Sequence, residues 1–272
     1  YKNTFQRAFT LFDEFNIKAT FFCVGEELQR TPGIISIIKE AVERGHAIAN
    51  HTYTHPFGLN TLSEEDIRTE VSKCNEVIKS ITSVSPMGFR SPGVAVDTKV
   101  INIVQQEGMQ YDSSAGWPLM AFLFKMVNLL SSKKLMNVGY GETNSRFRSK
   151  PYIPSDKNWK LKDTSHAKRF YEFPLPSTYL LLPFYQNLLL LFPTFIQNIL
   201  ISGNNSKHLT FLFHSIEFSS LQDDELPASV KKHPHVNIPY AEKLKSHRNL
   251  LKKKLKRRTP VLTETLIRNG QF

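Results

Sequence analysis

The residues best suited to chemistry cluster first in "HAIANHTYTHP", residues 46–56, where His51 and His55 stand four apart with Thr52 and Thr54 between them. Two imidazoles at that spacing, on a helical turn or a tight loop, can meet one divalent cation such as zinc. The same pattern arises by chance in a chain with 9 histidines, so two polar side chains of a surface loop are the competing reading. A tetrahedral catalytic centre takes three protein ligands and a water, which leaves this pair one ligand short. Thr52 and Thr54 can hold such a loop through side-chain to backbone hydrogen bonds. His214 closes the apolar run of "KHLTFLFHSIEF", either as a hydrogen-bonded core imidazole or as a general acid that titrates near neutrality. Arg90 in "FRSPG" is a surface cation or a guanidinium positioned by a loop that Pro92 stiffens. Asp112 in "YDSS" caps a turn or carries a functional charge.

Regular elements must set these residues in place. Phe5, Ala8, Phe9, Leu11, Phe12 and Phe15 mark a helical stripe, and "KATFFCVG" then reads as a buried strand closed by Gly25. "TPGIISIIKEAVERG" predicts a helix with Thr31 as N-cap, Pro32 at its first position and Gly45 as its stop, ahead of the strand "HAIAN". A further helix opens at Ser63 with Glu64, Glu65 and Asp66 complementing its dipole. A short strand at "MGFRSPG", a helix near "DTKVINIVQQEG" and a strand at "MQYDSS" follow, and "KHLTFLFHSIEF" reads as a last buried strand. Helix and strand alternate as in parallel β/α units, and in such folds chemistry gathers where strands end. The His pair, Arg90 and Asp112 all lie at such ends.

A chain of 272 residues, 40% apolar, can bury a sizeable core. Its net charge of +11 is concentrated in "KLKSHRNLLKKKLKRR", residues 243–258, where leucines at helical spacing predict an amphipathic helix with a solvated basic face. Contact with anionic lipid or an acidic polymer is the alternative, and nucleic acid is not the expected partner. Cys23 and Cys74 support neither a disulfide framework nor a cysteine metal site. The apolar stretch 179–201 contains Pro183, Pro193, Gln186, Asn187, Gln197 and Asn198, so it predicts helices over a core rather than a transmembrane span. The first residue is Tyr1, and the sequence enters an amphipathic helix with no signal-peptide sections. The compartment stays open between the cytoplasm and the cell envelope.

In order along the chain, "IKATFFCVG", "HTYTH", "FRSPG", "YDSS" and "FLFHSIEF" resemble the motifs of the polysaccharide deacetylase family, the NodB-homology carbohydrate esterases. The resemblance implies a distorted (β/α) barrel of seven parallel strands. It implies a single domain over residues 1–272, with a core at about residues 4–218 and a basic helical extension at about 237–272. It implies metal-dependent removal of acetyl groups, by amide or ester hydrolysis, from an acetylated carbohydrate, with a lipid-linked or envelope glycan as a special case. By position, His51 and His55 would hold a divalent ion, zinc by preference. Arg90 and Asp112 would form the charged pair that orients the catalytic base, and His214 would be the general acid. Pro92 and Gly93 would border the substrate groove, Gly93 standing where many members carry an aromatic residue. Trp117 would supply a hydrophobic wall, or else sit in the core.

The sequence departs from that family at one point. The family's first motif, an Asp-Asp pair supplying the third metal ligand and the catalytic base, belongs roughly 20 residues before "ATFF". Only 18 residues precede Ala19, and none of them forms such a pair. Asp13 falls within the first helix's pattern. The expectation is an amino-terminally truncated copy of an active enzyme lacking the barrel's first strand. A naturally shortened, inactive relative that binds glycan or the envelope is the alternative.

Overall fold

The computed structural model describes residues 2–116, 150–164, 169–176, 184–203, 208–231 and 233–271. Five short strands, β1 (Thr20–Cys23), β2 (Ala47–Asn50), β3 (Gly88–Phe89), β4 (Tyr111–Asp112) and β5 (Tyr171–Glu172), lie side by side in chain order, each pairing in parallel with the next. Parallel neighbours require crossovers, which helices supply. The register aligns Cys23 with Asn50, Asn50 with Phe89, Phe89 with Asp112 and Asp112 with Glu172. The carboxyl ends of the strands are therefore level. The ladder continues one residue further, as the amides of His51, Arg90, Ser113 and Phe173 donate to Cys23, Asn50, Phe89 and Asp112. The candidate site residues owe their common level to those bonds.

The helices are α1 (Lys2–Glu14), α2 (Gly25–Arg30), α3 (Ile34–Glu43), α4 (Glu64–Thr82) and α5 (Thr98–Gln106), followed by α6 (Gln186–Leu190), α7 (Thr194–Gly203), α8 (Ala228–Lys231), α9 (Tyr240–Leu255) and α10 (Thr263–Asn269). The Ser63 hydroxyl accepts from the Asp66 amide at the start of α4, and the Asp97 carboxylate does the same for Val100 on α5. Phe9, Ile38, Ala41, Cys74 and Ile78 fill one core cluster around α3 and α4, and Ile67, Val71, Phe89, Val100 and Trp159 fill another around α4, α5 and the sheet.

Three expectations change. Thr31 does not cap a helix: it ends α2, which the sequence reading missed, and α3 starts after Gly33, whose positive φ of 75° reverses the chain there. The strand at β1 is half-buried rather than buried, because it is an edge strand paired only with β2. The closing strand expected at "KHLTFLFHSIEF" is not formed among the described residues: Leu209–His214 has no ladder partner there, and Ser215–Phe218 turns as a 3-10 helix. Among the described residues the five strands form an open sheet, and a closed seven-stranded barrel is not seen.

The basic helix also differs from a simple solvated face. On α9, Lys243 and Lys254 point inward: the Lys243 ammonium donates to the Ile216 and Ser219 carbonyls at 3.1 and 2.5 Å, and Lys254 donates to the Ile201 carbonyl at the end of α7. Buried cations require such acceptors, and a helix or turn C-terminus offers them in excess. The last helix packs across the foot of the sheet, where Glu264 accepts from the Tyr111 hydroxyl at 2.6 Å. Gly88 leaves room for that tyrosine ring, which a Cβ would strike. Of the apolar stretch, residues 179–183 lie outside the described residues, and the remainder carries α6 and most of α7. Among the described residues no helix is long and apolar enough to cross a membrane.

Candidate functional site

The loop after β2 is held from below by α4. Glu70 accepts from the Tyr53 and Thr54 amides at 2.9 and 2.8 Å and from the Thr54 hydroxyl at 2.6 Å. Asn50 accepts from the Thr52 amide and donates to the Val71 carbonyl and the Asn75 side chain. The Thr52 hydroxyl accepts from the His55 amide at 3.1 Å, the loop-holding role expected of it. Thr52 and His55 both take positive φ, 64° and 61°, a strained conformation for side-chain-bearing residues that this network over-determines. Glu70 and Asn50 were not singled out by the sequence reading. A carboxylate two helical turns past a capping serine carries no motif.

This loop brings the two imidazoles together, with ring centroids 4.9 Å apart at an interplanar angle of 75°. His51 Nδ1–H donates to the Arg90 carbonyl at 2.7 Å, which leaves its Nε2 lone pair available. Burial pushes the His51 imidazole down to about 3, so the ring is neutral at ordinary pH and able to donate to a cation. Burial lowers His55 as well. Two neutral imidazole donors on a rigid loop fit two positions of a divalent-metal site. Among the described residues no third His, Cys, Asp or Glu joins them.

Arg90 is buried, with its guanidinium 4.2 Å from the centroid of the Phe22 ring and donating to the Ser113 carbonyl and hydroxyl, each at 2.8 Å. The expected direct pair with Asp112 is not formed. The Asp112 charge opposes the burial that lowers Arg90 to about 10, acting through space rather than through a direct ion pair. Asp112 instead accepts from the Ser114 amide and hydroxyl at 3.0 and 2.6 Å, and that hydroxyl accepts from the Ser91 amide at 2.8 Å. Its carboxyl also meets that of Glu172, its register partner on β5. Burial and the Asp112 charge push Glu172 well up. Glu172 escaped the sequence reading as a site residue, since the pairing needs the strand register.

His214 comes from the other side. It is 46% exposed, and its Nδ1 lies 3.2 Å from the Glu217 carboxylate and 3.1 Å from the Asn187 amide nitrogen. Glu217 is fully buried, raised by burial with His214 and Lys243 acting against the rise. A cavity of about 1370 Å³ is lined by His51, His55, Arg90, Gly93, Trp159 and His214 together. Pro92 is buried beneath this wall and does not line it, and the turn it starts presents Gly93 and Val94 instead. Trp117 lies outside the described residues. Five of the predicted residues, His51, His55, Arg90, Gly93 and His214, thus share one cavity, and Asp112 is buried behind it.

The sequence profile of the polysaccharide deacetylase family matches residues 1–111. The chain is similar to a peptidoglycan-N-acetylglucosamine deacetylase of Bacillus cereus, 36% identical over 77 residues, 28% of this chain and 26% of the relative. It is also similar to chitin deacetylase 1 of Saccharomyces cerevisiae, 32% identical over 146 residues, 53% of this chain and 41% of the relative. Among solved structures, a family 4 carbohydrate esterase pseudoenzyme of Bacillus anthracis is 27% identical, with a TM-score of 0.37, over 40% of this chain and 38% of that one. The matches to these two curated relatives thus span about a quarter to two fifths of the relatives' lengths. The motifs, the strand-end geometry and the profile agree in giving residues 1–111 the sequence signature of the polysaccharide deacetylase family.

Proposed function

We propose that the protein hydrolyses acetyl groups, as amides or esters, from a carbohydrate, with a divalent ion held by His51 and His55. The observation that carries this reading is the convergence of His51, His55, Arg90 and His214 on one cavity, with His51 Nδ1 tied to the Arg90 carbonyl and Nε2 left to donate. A bound divalent ion would polarise the acetyl carbonyl and lower the pKa of a coordinated water. The chain's own residues do the rest. Glu70 and Asn50 hold the imidazoles at a fixed separation. Arg90, with Ser113 beneath it and the Asp112–Glu172 pair behind, stiffens the wall from which Gly93 opens the groove. His214, oriented at Nδ1 by Glu217, presents Nε2 to the cavity to protonate the departing amine or alkoxide.

The test uses the full reading frame that contains this sequence, loaded with zinc and offered acetylated chitooligosaccharide and acetylated xylan. Acetate release is expected, with His51→Ala reducing it to background and His214→Ala lowering it by about two to four orders of magnitude. Failure both to bind zinc stoichiometrically and to release acetate would sink the reading. A second reading, a glycan- or envelope-binding module without turnover, is favoured by the presence of only two converging metal donors among the described residues. It predicts undiminished oligosaccharide binding in the presence of a chelator, measured by calorimetry, and no acetate under any metal.

A further inference from the structure

Leu191, Phe195 and Ile199 stand four residues apart along α7 and the turn before it, and they are 59%, 65% and 66% exposed. Phe195 and Ile199, four apart, share one row on the surface of α7, and Leu191 lies just past the end of α6, in the turn that leads into α7. The segment "LFPTFIQNILISG", residues 191–203, contains no charged side chain. Its opposite face is occupied: Gln197 accepts from Ser246, Asn198 accepts from Asn249, and Leu200 and Ile201 are buried in the cluster shared with Leu250 of α9. The apolar row is therefore the side of α7 left over after packing on α9.

The neighbour on that flank is cationic. Lys253 donates to the Asn198 side chain at 2.6 Å, which sets its ammonium one residue from Ile199. Lys252 stands beside it in the last turn of α9, and Lys256 and Arg257 follow just past the end of that helix, all three exposed and without an ion pair among the described residues. By contrast, Arg248 one turn earlier is already neutralised by Glu14. Lys243 and Lys254 take no part in this surface, being buried against carbonyls.

We infer that this face, Leu191, Phe195 and Ile199 rimmed by Lys252, Lys253, Lys256 and Arg257, docks on an anionic lipid bilayer. An interfacial helix combines an apolar face with a basic border in this way. A transmembrane role fails on length, since ten residues of α7 span about 15 Å against a hydrocarbon core of about 30 Å. A second copy of the chain fits poorly. Three side chains fall well short of the roughly 800 Å² per partner of a stable interface. A two-fold contact would also bring like charges together. A negatively charged bilayer satisfies both halves of the face at once.

The test is co-sedimentation of the purified chain with vesicles of phosphatidylcholine alone and with about one third phosphatidylserine. Binding is expected only to the anionic vesicles and is expected to weaken steeply with salt. Phe195→Ser with Ile199→Ser, both exposed positions, should weaken it by on the order of tenfold or more. Lys252→Gln with Lys253→Gln and Lys256→Gln should weaken it by on the order of a hundredfold. Circular dichroism checks that each variant is folded. The inference is overturned if neutral vesicles bind equally well, if either folded variant binds like the parent, or if the parent does not bind. It is also overturned if light scattering shows a dimer that Phe195→Ser with Ile199→Ser converts to monomer, which assigns the row to a second copy. None of these readouts depends on acetate release, so the inference stands or falls apart from the deacetylase reading.

Discussion

The two walls of the cavity are built by different means. The His51 wall hangs on the ends of β2 and β3, where the ladder runs on through the His51 and Arg90 amides and Glu70 and Asn50 tie the loop to α4. The His214 wall has no ladder. Its segment runs extended, turns at Ser215–Phe218, and is fixed by buried polar groups: Glu217 below His214, Lys243 on the Ile216 and Ser219 carbonyls, and His247 on the Glu217 carbonyl. A donor pair for a cation needs fixed separation, which a sheet edge gives. A proton donor needs orientation at one nitrogen, which a single buried carboxylate can give.

The sharpest break in that contrast comes from Lys243→Met. It removes the ammonium from two carbonyls beneath the 3-10 turn; Ile216 keeps the Ser219 amide, and the loss at the Ser219 carbonyl should cost about 1–3 kcal/mol in urea unfolding. Amide exchange should rise most around residues 214–219, while that of Ala47–Asn50 rises only in proportion to the loss of global stability. A uniform rise in both would mean that the two walls are one cooperative unit.

Glu70→Ala addresses the other wall and should do less to stability. The lost bonds lie at a partly exposed loop where water substitutes, so about 1–2 kcal/mol is expected. Its effect on metal binding should be larger, about a tenfold loss of zinc affinity or more, because His55 loses its support while keeping its chemistry. Unchanged zinc affinity would show that the strained φ angles of Thr52 and His55 are held by Asn50 alone.

The same division explains what the sequence disclosed. Strand ends in a parallel β/α pattern have a readable grammar, so His51, His55, Arg90 and Asp112 were legible together with the elements that carry them. Glu172 was not, because its partnership with Asp112 is a property of strand register across a gap of sixty residues. The inward turn of Lys243 and Lys254 was not legible either. Both sit in a charge run whose periodicity points to a wet face, and only the carbonyls they meet reverse that reading. The last strand expected at Leu209–His214 is of the same kind: an alternating apolar stretch satisfies the pattern of a strand, but a strand also needs a neighbour's backbone within hydrogen-bonding reach, and among the described residues no strand pairs with this segment.

The finest difference between the walls is in their response to acid. His247 is buried under the His214 wall against Phe213, Phe218 and the Glu217 carbonyl, with Lys243 nearby, and burial lowers it to about 4. The unfolded chain protonates this imidazole near its ordinary value of about 6.5 while the folded chain does not. The unfolded state therefore binds more protons between those values, and the folded state loses stability as pH falls through that window. The buried carboxyls Glu172, Glu217 and Asp112 are raised, so their contributions run the opposite way, fading as pH rises. A difference measurement isolates the histidine. Relative to His247→Gln, which has no imidazole to protonate, the parent should lose about 1 kcal/mol between pH 6.5 and 5.5. A pH-independent difference would mean that His247 titrates alike in the folded and unfolded chains, and a parent that gains stability as pH falls would mean that the imidazole is charged in the fold, with the Glu217 carbonyl and its surroundings holding the His214 wall together as a charged network rather than as a neutral one.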